Sequence, residues 1–310
     1  MSNVRREELS FVGAIEAGGT KIVCSAGRKW QTILDSEKYV VATTSPEETV
    51  TQVLDWFSVR HEEENLQAFG IASFGPIDFA TQSIAATTPK EAWRGFNWRD
   101  AVNERFGRFP IGFDTDTNAA GIAEWRWGNA QGRGVAVYLT VGTGIGGALI
   151  VDGAPIHGLL HPEFGHMFVP RQQGDGFVGT CPVHGDCLEG LASGPAVSGR
   201  WGRGDGPFPP NHPAWELESD YLSLAMVNII TITSPEVIVL GGGVMAVEGL
   251  LDKVREKTVK RLGGYLAKDE LGSKIGGYIV SPGLGNASGV VGAYSLGLNA
   301  YVTSNRVGES

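Results

Sequence analysis

Cys181-Pro-Val-His184-Gly-Asp-Cys187 follows fifteen residues after Glu163-Phe-Gly165-His166 and runs directly into Leu188-Glu189. Two thiols and two imidazoles at this spacing, His166, Cys181, His184 and Cys187, make a four-ligand tetrahedral zinc site. The chain has only three cysteines in 310 residues. A Cys181–Cys187 disulfide, or unrelated core residues, are the competing readings. Glu163 and Glu189 bracket the ligands in sequence. A closed metal site flanked by acids reads as a scaffold for polar groups, not as a metal that does chemistry itself.

Two glycine clusters carry a second kind of chemistry. Gly142, Gly144 and Gly147 satisfy G-x-G-x-x-G, but a dinucleotide fingerprint needs a helix after the glycines, and here Ala148-Leu-Ile-Val151 reads as a strand. The sequence contains no G-x-x-x-x-G-K-[ST] phosphate loop. What remains are two hairpin turns, Gly18-Gly19-Thr20-Lys21 and Thr140-x-Gly142-Thr143-Gly144. Each offers backbone N–H groups and threonine hydroxyls, and the pair suits a triphosphate in a nest-type anion site. Gly241-Gly242-Gly243 supplies a third loop. Asp116 stands just past a strand end and ahead of an Ala-rich helix, either as that helix's N-cap or as a carboxylate base.

The elements that must position these groups are α/β. Phe11–Ala17 and Lys21–Gly27 read as strands joined by the first glycine turn. Ser45-Pro46-Glu47-Glu48 is a capping box with proline at the first helical position, and Val50, Val53, Leu54 and Phe57 give the apolar stripe of a helix. Ala68–Ser73 reads as a buried strand ending at Phe74-Gly75-Pro76-Ile77-Asp78. Ile111–Asp114 is another, followed by a helix through about Trp127. The pattern then restarts with a second strand–turn–strand unit, Gly134–Val141 and Ala148–Val151. Val237–Leu240 ends in the third glycine loop, and a helix covers about Val247–Leu262.

The repetition predicts an internal duplication with a ligand cleft between halves, since ligands of α/β sheets gather at the carboxyl ends of strands. The expected division is a smaller domain, residues 1–118, and a larger one, 119–310, with a last helix at about 288–303 able to pack back on the first. Gly75, Pro76, Asp78 and the Thr88-Pro89-Lys90 loop are expected along one wall of that cleft. Cys24 reads as a small buried residue, and His61, His157 and His212 have nothing local to promote them.

Composition narrows the function classes. Net charge is −9 with basic residues scattered, which argues against nucleic acid. MSNVRREELS lacks the apolar region of a secretory signal, and the longest apolar run, near Leu222–Ile232, is too short to span a bilayer. No membrane association and a cytoplasmic location are expected.

These motifs together resemble the ROK sugar kinases, over nearly the whole chain. Glu16-Ala17-Gly18-Gly19-Thr20-Lys21 resembles that family's first phosphate motif, Thr140–Gly147 its second and Leu240–Gly243 its adenosine loop. Glu163-x-Gly165-His166 with the Cys/His cluster and Glu189 resembles its combined zinc and sugar motif. His161-Pro162-Glu163-Phe164-Gly165-His166-Met167 is similar to the fructokinase branch. The resemblance implies an actin-like, ribonuclease-H-type duplicated two-domain fold. It implies transfer of the γ-phosphoryl group of ATP, with Mg2+, to the 6-hydroxyl of D-fructose, with Asp116 as general base. Gly75, Pro76, Thr115, Glu163, His166 and Glu189 are then the sugar contacts, Zn2+ the cluster's metal, and a homodimer the assembly. The chain departs from the family at Glu16, where most members have Asp, and at Thr115, where glucose- and mannose-acting members have Asn. Mannose or glucose kinases, a broad hexokinase, and more remotely a sugar sensor without catalysis are the alternatives. On this reading, removing the metal abolishes sugar binding before nucleotide binding.

Overall fold

The computed structural model describes residues 10–202 and 208–307. The segment read for a leader lies, except for its last residue, outside these.

Two five-stranded sheets share one plan. In the first, β1 (Val12–Ala17), β2 (Lys21–Gly27), β3 (Tyr39–Ala42), β4 (Ala68–Ser73) and β7 (Ile111–Thr115) lie in the order β3-β2-β1-β4-β7. The first three are antiparallel neighbours, while β1–β4 and β4–β7 are parallel. In the second, β8 (Val135–Val141), β9 (Ile145–Val151), β10 (Ala154–Pro155), β11 (Val237–Gly241) and β12 (Ile279–Val280) lie in the order β10-β9-β8-β11-β12. Their senses repeat those of the first sheet. A small hairpin, β5 (Ile77–Asp78) with β6 (Ser83–Ile84), completes the strands.

Two compact units contain these sheets: residues 10–123, 157–161 and 286–307 in one, and 124–156, 162–202 and 208–285 in the other. Within the first, Ile15, Phe57, Phe69, Ile71, Trp93 and Trp98 are buried in one apolar cluster. Helix α1 (Trp30–Asp35) precedes β3. Helix α2 (Pro46–Glu64) begins as its capping box dictates: the Ser45 hydroxyl accepts the Glu48 N–H at 3.3 Å, and Val50, Val53, Leu54 and Phe57 face the core. Helix α3 (Trp98–Phe106) buries Trp98 and Val102. Cys24 is buried, and His61 packs on Phe106 and Phe109.

In the second unit Val137, Leu139, Leu188, Leu222, Ile229, Leu240 and Val254 form the core. The apolar run near Leu222 belongs to a helix longer than the run itself, Ala214–Thr233. No helix among the described residues is long and apolar enough to cross a membrane. His212 stacks on Phe208, and the Trp125 indole donates to the Arg133 carbonyl at 2.7 Å.

Candidate active site

Asp116 opens helix α4 (Asp116–Trp127) at the carboxyl end of β7. The capping role belongs to its neighbour, because the Thr115 hydroxyl accepts the Asn118 N–H at 3.0 Å. Thr115 is accordingly buried at 3% exposure, its hydroxyl committed to the helix start. Asp116 Oδ1 accepts the Thr117 N–H at 2.8 Å, and the residue's own backbone N–H also bonds the carboxylate. Burial pushes the Asp116 carboxyl up to about 6, close to neutrality, where a general base is most effective. Glu16 is pushed up to about 7, first by burial and then by the charge of Asp116; Lys21 and the Val290 N–H act in the opposite direction.

Sequence reading passed over two residues beside this base. Asp114 is 5% exposed and accepts from Asn118 Nδ2 and from the Thr115 N–H, both at 2.7 Å. His157 Nε2 lies 3.2 Å from the same carboxylate. Its hydrogen bond to Asp114 raises the His157 pKa above the usual imidazole range. An acid ending an otherwise apolar strand was the available signal, but its histidine partner lies 43 residues away.

The Gly75-Pro76 loop is held in place by Thr88, whose hydroxyl donates to the Gly75 carbonyl at 3.2 Å, and by His161, whose Nε2 accepts the Ile77 N–H at 3.3 Å. Asp78 is spent on its own turn, accepting the Ala80 N–H at 2.9 Å. At the first glycine turn Gly18 N–H donates to the Lys21 carbonyl at 3.0 Å. Thr20 and Lys21 are exposed there, and the Lys90 side chain comes up against Gly19.

In the second unit two predicted glycine loops gather at one end of the sheet. The β8–β9 turn is Gly142-Thr143-Gly144, closed by Gly142 N–H donating to the Gly144 carbonyl at 2.8 Å. Strand β9 begins immediately after it, at Ile145, so Ile145–Gly147 are sheet and not turn. Parallel pairing of Gly241 with Thr140 sets Gly241–Gly243 beside this turn. Gly242 has φ +96°, and a Cβ there would lie 2.3 Å from the Val141 carbonyl oxygen, so only glycine fits.

The four proposed metal ligands converge: their ligand atoms all lie within 4.8 Å of one another. Cys181 Sγ is 3.8 Å from His166 Nδ1 and 3.7 Å from His184 Nδ1, and Cys187 Sγ is 3.5 Å from His166 Nδ1. Tetrahedral zinc with ordinary Zn–S and Zn–N bonds requires S···N separations of about 3.5–3.6 Å, so the donor set fits the ion. Neither cysteine is in a disulfide, and the His184 N–H donates to Cys181 Sγ at 3.4 Å. With Nδ1 of His166 turned to the cluster, its Nε2 is the ring nitrogen left for another partner. Glu163 is exposed at the start of the turn Phe164–His166. Glu189 Oε2 accepts the Ile145 N–H at 2.9 Å.

The structure therefore brings Glu16, Gly18, Gly19, Thr20, Lys21, Gly75, Pro76, Thr115 and Asp116 into one unit. Thr140, Gly142, Thr143, Gly144, Gly241, Gly242, Gly243, Glu163, Glu189 and the metal cluster lie in the other.

Comparison with known proteins gives the same outline. The family described as the ROK family matches residues 12–300. The fructokinase of Zymomonas mobilis is 39% identical over 309 residues, covering 95% of this chain and 99% of that protein. A solved ROK hexokinase from Thermus thermophilus is 25% identical with a TM-score of 0.71, covering 97% of this chain and 100% of that one. A ROK glucokinase from Streptomyces griseus, solved with glucose and AMPPNP, is 24% identical with a TM-score of 0.73, covering 94% and 100%.

Proposed function

This chain belongs to the ROK family, and we propose that it is a fructokinase, phosphorylating D-fructose at its 6-hydroxyl with ATP. The observation that carries the reading is Asp116, at a strand end, relieved of capping by Thr115 and raised to about 6 by burial. The similarity to the Zymomonas fructokinase, nearly end to end, selects the sugar.

Asp116 accepts the proton of the 6-hydroxyl as that oxygen bonds to the γ-phosphorus and the bond to the β-phosphate oxygen breaks, releasing ADP. Phosphoryl transfer asks mainly for positioning and charge neutralisation. Backbone N–H groups of the turns Gly18–Lys21 and Gly142–Gly144 other than those of Gly18 and Gly142, which close the turns, serve the phosphates with Lys21, Thr140 and Thr143, and the phosphates arrive with Mg2+; Gly241–Gly243 takes the adenosine. Glu163, His166 Nε2 and the Gly75-Pro76 loop bind sugar hydroxyls, and Glu189 does so through its second oxygen. His157 and Asp114 hold the segment that carries Asp116. His166, Cys181, His184 and Cys187 hold Zn2+, which as a four-ligand ion supplies a cross-link between chain segments. A cytoplasmic homodimer completes the reading.

A coupled assay of ADP release tests it, with Mg2+-ATP against fructose, mannose and glucose, with and without chelator. Fructose-dependent turnover lost on chelation is the expected result. Turnover with another hexose alone would move the specificity and keep the mechanism. No turnover with any sugar by zinc-loaded protein would overturn the kinase reading in favour of a sensor.

A further inference from the structure

Ile145, the first residue after the second glycine turn, is gripped from both sides by the segments that carry the metal ligands. On one side its N–H donates to Glu189 Oε2 at 2.9 Å. Glu189 is the second residue of helix α5 (Leu188–Ala192), whose N-cap is the ligand Cys187. On the other side lies Gly165, the residue before the ligand His166: a Cβ on Gly165 would fall 1.8 Å from the Ile145 carbonyl oxygen. Gly144 is also close to this carboxylate, since a Cβ there would stand 2.7 Å from Glu189 Oε2. The far side of the turn is fixed by the chain just beyond α5, where Gly194 N–H donates to the Gly142 carbonyl at 2.8 Å. The turn Gly142–Gly144 thus hangs on two short segments, 163–166 and 187–194. Those segments are joined to each other through His166 and Cys187, whose ligand atoms are 3.5 Å apart, and through a Leu188 N–H to Met167 carbonyl bond of 2.9 Å.

We propose that Glu189 is a positioning residue for the phosphate-binding turn, and that through it the metal cluster sets affinity for nucleotide as well as for sugar. The inference rests on the reading of Gly142–Gly144 as a phosphate site. Its physical basis is preorganisation. Backbone N–H groups bind an anion well only if they are already aimed, and the charge-assisted bond that the Ile145 N–H donates to the Glu189 carboxylate anchors the residue next to the turn from outside its hairpin. Without the metal the carboxylate is carried by a five-residue helix whose N-cap has lost its cross-link to His166. The order expected from the sequence, sugar affinity lost before nucleotide affinity, changes accordingly: both fall together.

The test measures ADP affinity by calorimetry in the absence of any sugar, so that Glu189 as a sugar contact does not enter. Zinc-loaded wild type is compared with metal-free wild type and with zinc-loaded Glu189→Ala and Glu189→Gln, alongside amide hydrogen exchange of residues 141–147. Metal removal and Glu189→Ala are each expected to weaken ADP by about tenfold or more and to speed exchange at Ile145, the scale of a lost hydrogen bond to a charged group. Glu189→Gln keeps an oxygen acceptor and is expected to retain ADP affinity within about threefold. Glu189→Ala, still holding one zinc per chain, keeps the inference falsifiable if metal-free protein unfolds. ADP affinity unchanged in that variant removes this inference alone, whereas no ADP binding by loaded wild type removes the phosphate reading and this inference with it.

Discussion

Thr115 and Asp116 divide between them two tasks that local sequence assigns to one residue. An acid at the first turn of a helix is ordinarily read as a cap, yet the Asn118 N–H is taken by the Thr115 hydroxyl, and Asp116 is left for chemistry. Replacing Asp116 by Asn preserves its size and its acceptor for the Thr117 N–H but removes the base. The expected loss in kcat is about 10²–10⁴-fold with little change in fructose affinity. In the wild type kcat/KM for fructose, which reports the free enzyme, should rise with pH through about 6, where the Asp116 carboxyl ionises. The sign for stability is opposite. A carboxyl raised above its ordinary 3.8 by burial favours the folded state when protonated, and that contribution is lost as pH rises through about 6. Asp116→Asn should therefore melt no lower than wild type at pH 8 while being nearly inactive. An Asn enzyme turning over within threefold of wild type would sink the assignment of Asp116. Glu16, raised to about 7 in part by Asp116, titrates with it as a pair, so the pH profile reports values of the pair.

At the scale of elements, the proposed nucleotide site rests on the glycine loops. Gly242 sits at φ +96° with the Val141 backbone where a Cβ would be. Gly242→Ala is expected to displace the Gly241–Gly243 loop from β8 at a cost of about 1–3 kcal/mol in local strain, raising KM for ATP by about tenfold or more. KM for fructose should stay within threefold, and an equal rise in both constants would argue that the loop serves more than the nucleotide. Much of this was legible in sequence: β4 spans Ala68–Ser73 as read, the Ser45 cap forms, and the residues after Gly142–Gly144 continue as a strand and not as a dinucleotide-binding helix. The strand start at Ile145 was not, because three residues rich in glycine carry no alternation to read. Nor was the bond from Ile145 to Glu189, a contact across 44 residues that no local pattern encodes. The Cys/His spacing, by contrast, named four side chains whose potential ligand atoms lie within 4.8 Å of one another, and the Nδ1 orientation of the imidazoles awaited the geometry.

At the scale of the whole molecule, the buried acids raised above their ordinary values make stability fall as pH rises toward neutrality, and one of them, Glu218, lies away from the site. Glu218, on the helix Ala214–Thr233, is 1% exposed, and neither of its oxygens has a hydrogen-bond partner among the described residues. Arg200 is the cation that favours its ionisation, but that guanidinium is committed elsewhere: to the Leu191 carbonyl at 2.8 Å, to Asp175 at 3.2 Å, and to the Phe177 and Tyr221 rings. Burial accordingly holds the Glu218 carboxyl well above its ordinary 4.5. The stability it contributes is full below about 4.5 and falls as pH rises toward the raised folded value. Glu216, lowered to about 2 by Lys253 and Lys257, and Asp175, lowered with the help of the Tyr221 hydroxyl and Arg200, lose their contributions only in acid, outside this window. His157, raised by Asp114, and the carboxyls of Asp116 and Glu16, raised to about 6 and about 7, weaken the fold as pH rises in the same sense as Glu218, so the wild-type slope alone does not separate them. The isosteric Glu218→Gln does. It should melt with wild type at pH 5 and about 2–6 °C above it at pH 8, the shift expected of ~1–2 kcal/mol in a domain of this size. Calorimetric melting at the two pH values decides the matter: a variant that melts below wild type at pH 8 would mean that Glu218 is ionised and paired in the folded state.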